Sequence, residues 1–312
     1  MKYVLGIDAG GTKTVCFLAD EEERVLAQAR GGGANLKTAG ELGVEKVLHE
    51  VMEEAIGERD IKLSAICLGM AGVDREEDDR TVRAIMRRIG YRLPTLVVND
   101  ALVALQAGVG DRPGIVLIAG TGSIAYGRDA GRRAARAGGW GHILADEGSG
   151  YWIGREALRA VMRHADGRGP ATSLTPRVLA HLDVEKASDL VRLVYYREIG
   201  LQAIAALSPL VEAAHHEQDG VATGILQAAA DELVLAATTV AVRLGMRNAE
   251  FVFVLAGGLF RGVPWLAAEV ARRLTELAPR GVVRLLDVEP AVGAVRLAIA
   301  QARGGARLPM YL

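Results

Sequence analysis

The sequence predicts an α/β fold made of two related halves. Short apolar runs typical of strands alternate with amphipathic helical stripes, which favours a partly parallel sheet. A strand, a Gly/Thr turn and a second strand occur together twice, and such a repeat indicates two related halves. A long stretch after the second copy has almost wholly helical character, which enlarges the second half.

The strand-like runs, taken in order, are residues 2–8, 15–19, 64–69, 95–98, 115–119 and 251–255. Apolar residues at helical spacing predict helices around 44–56 and 82–89. Residues 146–245 are expected to be helical, and the three consecutive glycines at 31–33 are expected to form a loop.

The repeat places the domain boundary. Residues 4–12 precede a strand at 15–18, and residues 116–123 precede a strand at 124–127. We expect an N-terminal domain over 1–111, completed by a C-terminal helix in 292–312, and a second domain over 112–291 with a helical insertion.

Composition narrows the function classes. The 312 residues are 50% hydrophobic and 24% charged, as in a two-domain globular protein. A net charge of -1 argues against nucleic acid as a partner. No run of 18 apolar residues stands out, so no membrane association is expected. Cys16 and Cys67 lie in apolar runs, which predicts buried thiols and a cytoplasmic location.

The first turn, Gly10-Gly11-Thr12-Lys13, is unlike a P-loop or a Rossmann turn, because strand-like residues follow it where those motifs need a helix. Its glycine N–H groups and threonine hydroxyl suit an anion. The second turn, Gly120-Thr121-Gly122-Ser123, repeats this chemistry. Two such turns facing one cleft would hold a polyphosphate from both sides, whereas either turn alone could be a simple tight turn.

Two aspartates follow strands. Asp8 ends the first strand beside the first turn, where a Mg²⁺ ion would relieve its repulsion from phosphates; a turn-capping role is the alternative. Asp100 follows the strand at 95–98, at the sheet edge where α/β proteins bind ligands. It is a candidate general base, with a helix N-cap as the alternative.

Two glycine-rich segments complete the candidate site. Residues 138–150 place Trp140 among glycines and put Asp146 before a helix, a combination suited to a polyhydroxylated ligand. The alternative is a loop with a buried tryptophan and an aspartate cap. Gly257-Gly258 would let an adenine ring approach the backbone, although a strand, two glycines and a helix are also ordinary packing.

Together these segments resemble the N-acetylglucosamine kinase family, which overlaps the BadF/BadG/BcrA/BcrD ATPases within the superfamily of sugar kinases, actin and heat-shock chaperones. The motifs that carry the resemblance are GIDAGGTKT (6–14), VVNDA (97–101), IAGTGS (118–123), GGWGHILADEGSGYWIG (138–154) and VLAGGLF (254–260). The resemblance implies two RNase H-like (actin-like ATPase) domains flanking a cleft that closes over ATP, Mg²⁺ and a sugar.

The resemblance also implies residue roles. Asp100 would take the proton from the sugar 6-hydroxyl, and Asp8 would hold Mg²⁺ through water. The residues implied at the nucleotide are Gly10, Gly11, Thr12, Lys13, Gly120, Thr121, Gly122, Ser123, Gly257 and Gly258. Those implied at the sugar are Asn35, Asp100, Gly139, Trp140, Gly141 and Asp146. Members are commonly homodimers.

Some positions depart from the family pattern. Leu36-Lys37 replaces a histidine-tryptophan pair of the animal enzymes, Met70-Ala71-Gly72 replaces a serine-bearing turn, and Ile124 replaces an asparagine. The expected function is therefore an ATP-dependent kinase of an amino-hexose or hexose, with N-acetylglucosamine or glucosamine favoured. The alternatives are an iron–sulfur ATPase that activates a radical dehydratase and a non-catalytic sugar sensor.

Overall fold

A computed structural model describes residues 2–73, 75–196 and 198–312. Over these residues the chain forms eleven strands and twelve helices. The strands are β1 Tyr3–Ala9, β2 Lys13–Asp20, β3 Val25–Gly32, β4 Leu63–Met70, β5 Thr95–Asn99, β6 Gly114–Ala119, β7 Ser123–Arg128, β8 Arg133–Gly138, β9 Phe251–Ala256, β10 Gly281–Leu285 and β11 Met310–Tyr311.

The helices are α1 Leu36–Ile56, α2 Glu76–Arg88, α3 Asp100–Val109, α4 Gly150–Ala165, α5 Leu174–His181, α6 Asp189–Tyr195, α7 Leu201–Ala205, α8 Ser208–His216, α9 Gly220–Arg243, α10 Gly258–Gly262, α11 Pro264–Leu277 and α12 Ala291–Ala302. Helix α1 is interrupted at Gly40, whose φ of 67° is not helical.

The chain divides into two compact units. Unit 1 comprises Met1–Val116, Tyr126–Ala135 and Leu285–Leu312, and unit 2 comprises Leu117–Ala125 and Arg136–Arg284. The C-terminal helix α12 thus belongs with the N-terminal part of the chain. The finer boundaries expected from the repeat, 1–111 with 292–312 and 112–291, stay a prediction.

Unit 1 contains a five-stranded mixed sheet in the order β3-β2-β1-β4-β5. β1 pairs antiparallel with β2 and parallel with β4, and β4 pairs parallel with β5. Helix α1 packs against β2 and β3, whereas α12 packs against β1, β4 and α3. Fully buried residues such as Leu5, Leu48 and Ile66 form the core. The parallel strands bring their carboxyl ends, at Ala9, Met70 and Asn99, to one edge.

A second sheet has six strands in the order β10-β9-β6-β7-β8-β11. In unit 2, helix α9 packs against α4, α8 and α11. By length and composition α9 could cross a membrane, but 44% of its most apolar window is buried among protein atoms. The core helices of soluble proteins have the same length and composition, so these two properties do not by themselves indicate a membrane span.

The structure confirms the six predicted strands, which are β1, β2, β4, β5, β6 and β9, and the strand after the second turn, β7. It also confirms the two helical stripes as α1 and α2, and the helical region as α4 to α9. The loop expected over the three glycines is wrong at Gly31 and Gly32, which belong to β3. A Cβ on Gly31 would lie 2.7 Å from the Val51 side chain of α1, so the strand needs glycine for close packing.

Candidate active site

The first turn, residues 10–13, connects two antiparallel strands. β1 and β2 pair as far as Ala9↔Thr14, and the N–H of Gly10 donates to the carbonyl of Lys13 at 3.0 Å. β2 begins at once, at Lys13, so the turn is a hairpin and not the strand-to-helix turn of a P-loop or Rossmann fold. Gly11 and Thr12 are exposed, which leaves their backbone accessible.

The segment after β3 packs against the first turn. The N–H of Ala34 donates to the carbonyl of Gly10 at 3.1 Å. A Cβ on Gly33 would lie 2.2 Å from the carbonyl oxygen of Gly11, far inside van der Waals contact. Glycine at position 33 therefore allows the two backbone segments to approach this closely, where a larger residue would displace the first turn.

Asp8 and Asp100 are electrostatically coupled. Asp8 is only 9% exposed. Burial, and next the negative charge of Asp100, raise the pKa of Asp8 to about 8, while Lys13 acts in the opposite direction. A carboxyl group in this position needs more positive charge than Lys13 supplies if it is to be fully ionised at neutral pH.

Helix capping does not account for Asp100. The N-cap of α3 is Asn99, whose side-chain oxygen accepts from the N–H of Ala101 at 2.9 Å. Asp100 is the first residue of α3 and is half-buried. The N-cap alternative for Asp100 is therefore wrong, because Asn99 is the N-cap of α3.

Asn35 lies at the same sheet edge. Its side-chain oxygen accepts from the N–H of Lys37 at 2.9 Å and so caps α1. A Cβ on Gly72, in the loop after β4, would lie 3.0 Å from that oxygen. β1, β4 and β5 end at one edge of the sheet, and β3 ends beside Lys13 at the same edge, so the first turn, Asp8, Asn35 and Asp100 come from neighbouring strand ends of unit 1.

The second turn, residues 120–123, lies in unit 2, where it is tied to the start of α4. The N–H of Gly120 donates to the carbonyl of Gly122 at 2.9 Å, and the N–H of Gly150 donates to the carbonyl of Gly120 at 2.8 Å. The hydroxyl of Ser123 donates to the carbonyl of Glu147 at 2.8 Å. Since that hydrogen is engaged, Ser123 holds the turn against the following loop.

Asp146 joins the second turn to the loop of residues 138–149, here called the Trp140 loop. Its carboxylate accepts from the N–H of Gly141 at 3.3 Å, and a Cβ on Gly122 would lie 2.6 Å from it. Burial raises the pKa of Asp146, opposed by backbone hydrogen bonds from Gly141 and Ser123. The N-cap of α4 is Ser149, so the aspartate-cap alternative for Asp146 is wrong.

Asp146 has a φ of +62°, in the left-handed region. Aspartate adopts this region more readily than most residues, and four other non-glycine residues of the described chain share it, so the conformation assigns no role to Asp146.

Trp140 is 58% exposed, so the alternative of a loop with a buried tryptophan is wrong. The guanidinium of Arg136 lies 4.0 Å from the centre of its ring. This stacking leaves one face of the indole covered by a cation and orients the ring. Gly139, also in this loop, has φ of +73°, and a Cβ there would lie 2.7 Å from the Ile124 side chain.

The two glycines after β9 differ in what surrounds them. A Cβ on Gly257 would lie 2.1 Å from the carbonyl oxygen of Ala119, so this glycine allows β9 to pack at the end of β6. A Cβ on Gly258 would meet nothing within 4 Å. Ordinary packing therefore explains Gly257, while the space at Gly258 is compatible with the expected adenine.

The residues fit the implied Mg²⁺ ion. Mg²⁺ commonly binds one or two carboxylates, substrate phosphates and waters. Asp8 offers a buried carboxyl beside a second acid, where a divalent cation would favour the ionised form. In the described part of the chain no three His, Cys, Asp or Glu side chains are arranged to hold a metal ion among themselves. A site completed by phosphate and water is the kind these residues can form.

Two further side chains, Glu289 and Arg30, lie at the first turn. The sequence did not single out either of them. Glu289 accepts from Lys13 at 3.0 Å and from Arg30 at 2.9 Å. Lys13 and Glu289 are 276 residues apart, and Glu289 follows no glycine turn, so no local pattern could have linked them. Only the fold brings them together.

The two turns belong to different units, the first to unit 1 and the second to unit 2. Unit 1 also carries Asp8, Asn35 and Asp100, and unit 2 carries the Trp140 loop and Gly257-Gly258. That both turns hold one polyphosphate stays a prediction, as do the individual residue roles.

Comparison with known proteins identifies relatives of the whole chain. The family model for BadF/BadG/BcrA/BcrD ATPases matches residues 5–298. An N-acetylmuramic acid/N-acetylglucosamine kinase of Clostridium acetobutylicum is 38% identical over 96% of this chain and 98% of its own. An N-acetyl-D-glucosamine kinase of Dictyostelium discoideum is 34% identical over 95% of this chain and 97% of its own.

A solved structure agrees. A provisionally named N-acetylglucosamine kinase of Chromobacterium violaceum superimposes with a TM-score of 0.75 at 26% identity, covering 95% of this chain and 98% of its own. The predicted fold class, RNase H-like domains of the sugar kinase and actin-like ATPase kind, is thereby confirmed. By the extent of the family match and the identity to these relatives, the chain belongs to the BadF/BadG/BcrA/BcrD ATPase family.

Proposed function

We propose that the chain is an ATP-dependent sugar kinase that transfers the γ-phosphoryl group of ATP to the 6-hydroxyl of an amino-hexose, with N-acetylglucosamine first among the candidates. The single observation that carries the proposal is the 38% identity, across 96% of the chain, to a kinase of N-acetylmuramic acid and N-acetylglucosamine. The acids and glycine turns at the strand ends supply the groups that this chemistry needs.

In the proposed reaction Asp100 accepts the proton of the sugar 6-hydroxyl while that oxygen bonds to the γ-phosphorus. The bond from the γ-phosphorus to the bridging oxygen breaks, and ADP leaves with the electron pair. Backbone N–H groups of both turns and Lys13 would bind the phosphates. Asp8 would hold Mg²⁺ through water, and when bound this ion neutralises phosphate charge.

The sugar would be held by Asn35, Gly139, Trp140, Gly141 and Asp146. Trp140 offers an exposed aromatic face and Asp146 a fixed carboxylate, the two features that suit a ring with one apolar face and several hydroxyls. Two departures from the family pattern, Gly72 and Ile124, lie against Asn35 and Gly139. These departures make the sugar preference the first property to measure.

A panel of sugars tests the function. ADP release would be followed with N-acetylglucosamine, N-acetylmuramic acid, glucosamine, glucose and N-acetylmannosamine, each with MgATP. We expect the highest kcat/KM with an N-acetylated glucosamine. Sugar binding without ADP release would favour the sensor alternative, and ATP hydrolysis that ignores every sugar would favour the dehydratase-activator alternative.

The activator alternative needs exposed cysteines, and this chain offers buried ones. Cys16 and Cys67 lie in β2 and β4 with no exposed surface.

We further propose a cytoplasmic enzyme that works as a homodimer without nucleic acid or membrane partners. Light scattering with the purified protein tests the oligomeric state.

A further inference from the structure

Glu289 forms a three-residue cluster with Lys13 and Arg30, here called the Glu289 triad. One carboxylate oxygen accepts from the Lys13 ammonium at 3.0 Å, and the other accepts from the Arg30 guanidinium at 2.9 Å. All three residues lie in unit 1. The triad brings a carboxylate directly to the lysine of the first turn.

The triad is built by the fold and not by sequence neighbours. Lys13 begins β2, and Arg30 lies on β3 opposite Val15, two residues further along the same pair of strands. Glu289 lies between β10 and α12, and Pro290 is the N-cap of α12. Because α12 packs against β1, Glu289 is held at a fixed place beside the first turn.

The charges of the triad do not cancel. Two cations surround one carboxylate, which leaves one net positive charge. Burial alone would raise the pKa of Glu289, but hydrogen bonds from Lys13 and Arg30 hold it below its usual value. The Lys13 and Arg30 side chains remain 51% and 52% exposed, so an anion can still approach them.

A lysine side chain on its own is a poorly ordered ligand, because its four-carbon stem has many rotamers. Fixing that stem before the ligand arrives lowers the entropy lost on binding. We propose that Glu289 is a positioning residue that holds the Lys13 ammonium at the first turn for a nucleotide phosphate, while Arg30 keeps the triad positively charged. The inference rests on the proposed function, since it takes the ligand of the first turn to be ATP.

The substitution Glu289→Gln separates positioning from simple charge. The variant keeps the size of the side chain but raises the net charge of the triad from one to two positive charges. If Glu289 only weakened the attraction for phosphate, ATP would bind more tightly to the variant. If Glu289 positions Lys13, ATP should bind about 5-fold more weakly, the size of one lost hydrogen bond.

The experiment measures ATP binding by calorimetry and the KM for ATP and for sugar in Glu289→Gln, Lys13→Met and the double variant. We expect weaker ATP binding in each, no further loss in the double variant relative to Lys13→Met, and an unchanged KM for sugar. Glu45→Gln is the control, because it also removes a surface ion pair of unit 1, with Arg88, and should leave ATP binding unchanged.

Tighter or unchanged ATP binding in Glu289→Gln, or losses that simply add in the double variant, would overturn the inference. Because calorimetry needs no sugar and no turnover, the proposed function can fail separately. Wild-type protein that binds ATP but phosphorylates no sugar would refute the kinase and still test Glu289.

Discussion

At the scale of single residues, the two acids at the strand ends differ in surroundings and therefore in chemistry. Asp8 is buried, and its pKa is raised to about 8 by burial and by Asp100. Asp100 is half-buried at the first position of α3, with Asn99 capping the helix beside it. A buried acid that gains from a cation and a more accessible acid that can meet a hydroxyl are suited to the two roles proposed here.

Asp100→Asn should lower kcat by about 10²–10⁴-fold, the usual contribution of a general base. The amide keeps the size of the side chain but cannot accept the proton, and Asn99 still caps α3, so the fold should persist. Sugar binding measured by calorimetry should stay within a few fold of wild type. Asp60→Asn, at an exposed site, is the matched control. Wild-type turnover in Asp100→Asn would remove the base assignment.

Sequence alone could identify residues such as Asp8, Asp100 and Asp146, because each stands in a short motif beside a turn or at a strand end. It could not choose between a helix cap and a functional role for Asp100 and Asp146. The structure excludes the cap, because Asn99 and Ser149 occupy those positions, and the functional roles stay predictions. Glu289 could not be predicted from the sequence, because its partners Lys13 and Arg30 are more than 250 residues away along the chain.

At the scale of elements, the close approach of the segment after β3 shapes the first turn. A Cβ on Gly33 would lie 2.2 Å from the Gly11 carbonyl oxygen, whereas a Cβ on Gly32 would meet only Val47, at 4.0 Å. The two adjacent glycines thus differ sharply in what an added methyl group would displace.

Gly33→Ala should push the first turn from its place and weaken ATP binding, and it should destabilise the protein by about 1–3 kcal/mol, as overpacking generally does. Gly32→Ala adds the same methyl group where there is room, so it should match wild type in both respects. Calorimetric ATP binding and chemical denaturation measure the two effects. Equal behaviour of the two variants would mean that the turn adjusts freely.

Helix α11 carries a carboxylate held by two arginines. Glu269 accepts from Arg272 at 2.8 Å and from Arg273 at 2.6 Å, and its side chain is 18% exposed. The hydrogen bond from Arg272, partly offset by burial and reinforced by Arg273, lowers the pKa of Glu269 to about 2. A depressed pKa adds stability above the unfolded value near 4.5, and that stability is lost as the pH falls towards 2.

Glu269→Gln should therefore destabilise the protein by about 1–2 kcal/mol at pH 7, after allowance for solvent screening. The difference from wild type should shrink steadily below pH 4.5 and vanish near pH 2. Urea denaturation at several pH values measures it. A difference that stayed constant down to pH 3 would show that packing, and not charge, holds Glu269.

Elements were predictable where the pattern is local and were missed where packing decides. The buried strands were predicted from apolar runs, and α1 and α2 were predicted from the helical spacing of their apolar residues. β3 was missed because most of its residues are exposed and it ends in glycines. Gly31 suits the strand because helix α1 packs closely against it. β10 and β11 are short, with mostly exposed residues, so they carry little apolar signal.

At the scale of the whole molecule, the family match extends over residues 5–298, and the iron–sulfur activator is the alternative to the proposed kinase. The two cysteines can discriminate between them in this chain. Cys16 on β2 pairs with Ile7 on β1, and Cys67 on β4 pairs with Gly6 on β1, so both thiols lie within one sheet. Burial raises the pKa of Cys16 to about 12 and raises that of Cys67 as well.

Both thiols should therefore resist an aromatic disulfide reagent in the native protein and react at once in concentrated guanidinium chloride. Strands in the centre of a sheet open only in large-scale unfolding, so native labelling should be at least about 10³-fold slower than in the unfolded chain. Cys16→Ala assigns the remaining signal to Cys67. Rapid labelling of one native thiol, or iron retained by anaerobically purified protein, would reopen the activator alternative. Slow labelling together with sugar-dependent ADP release would leave the kinase as the activity that this arrangement of residues supports.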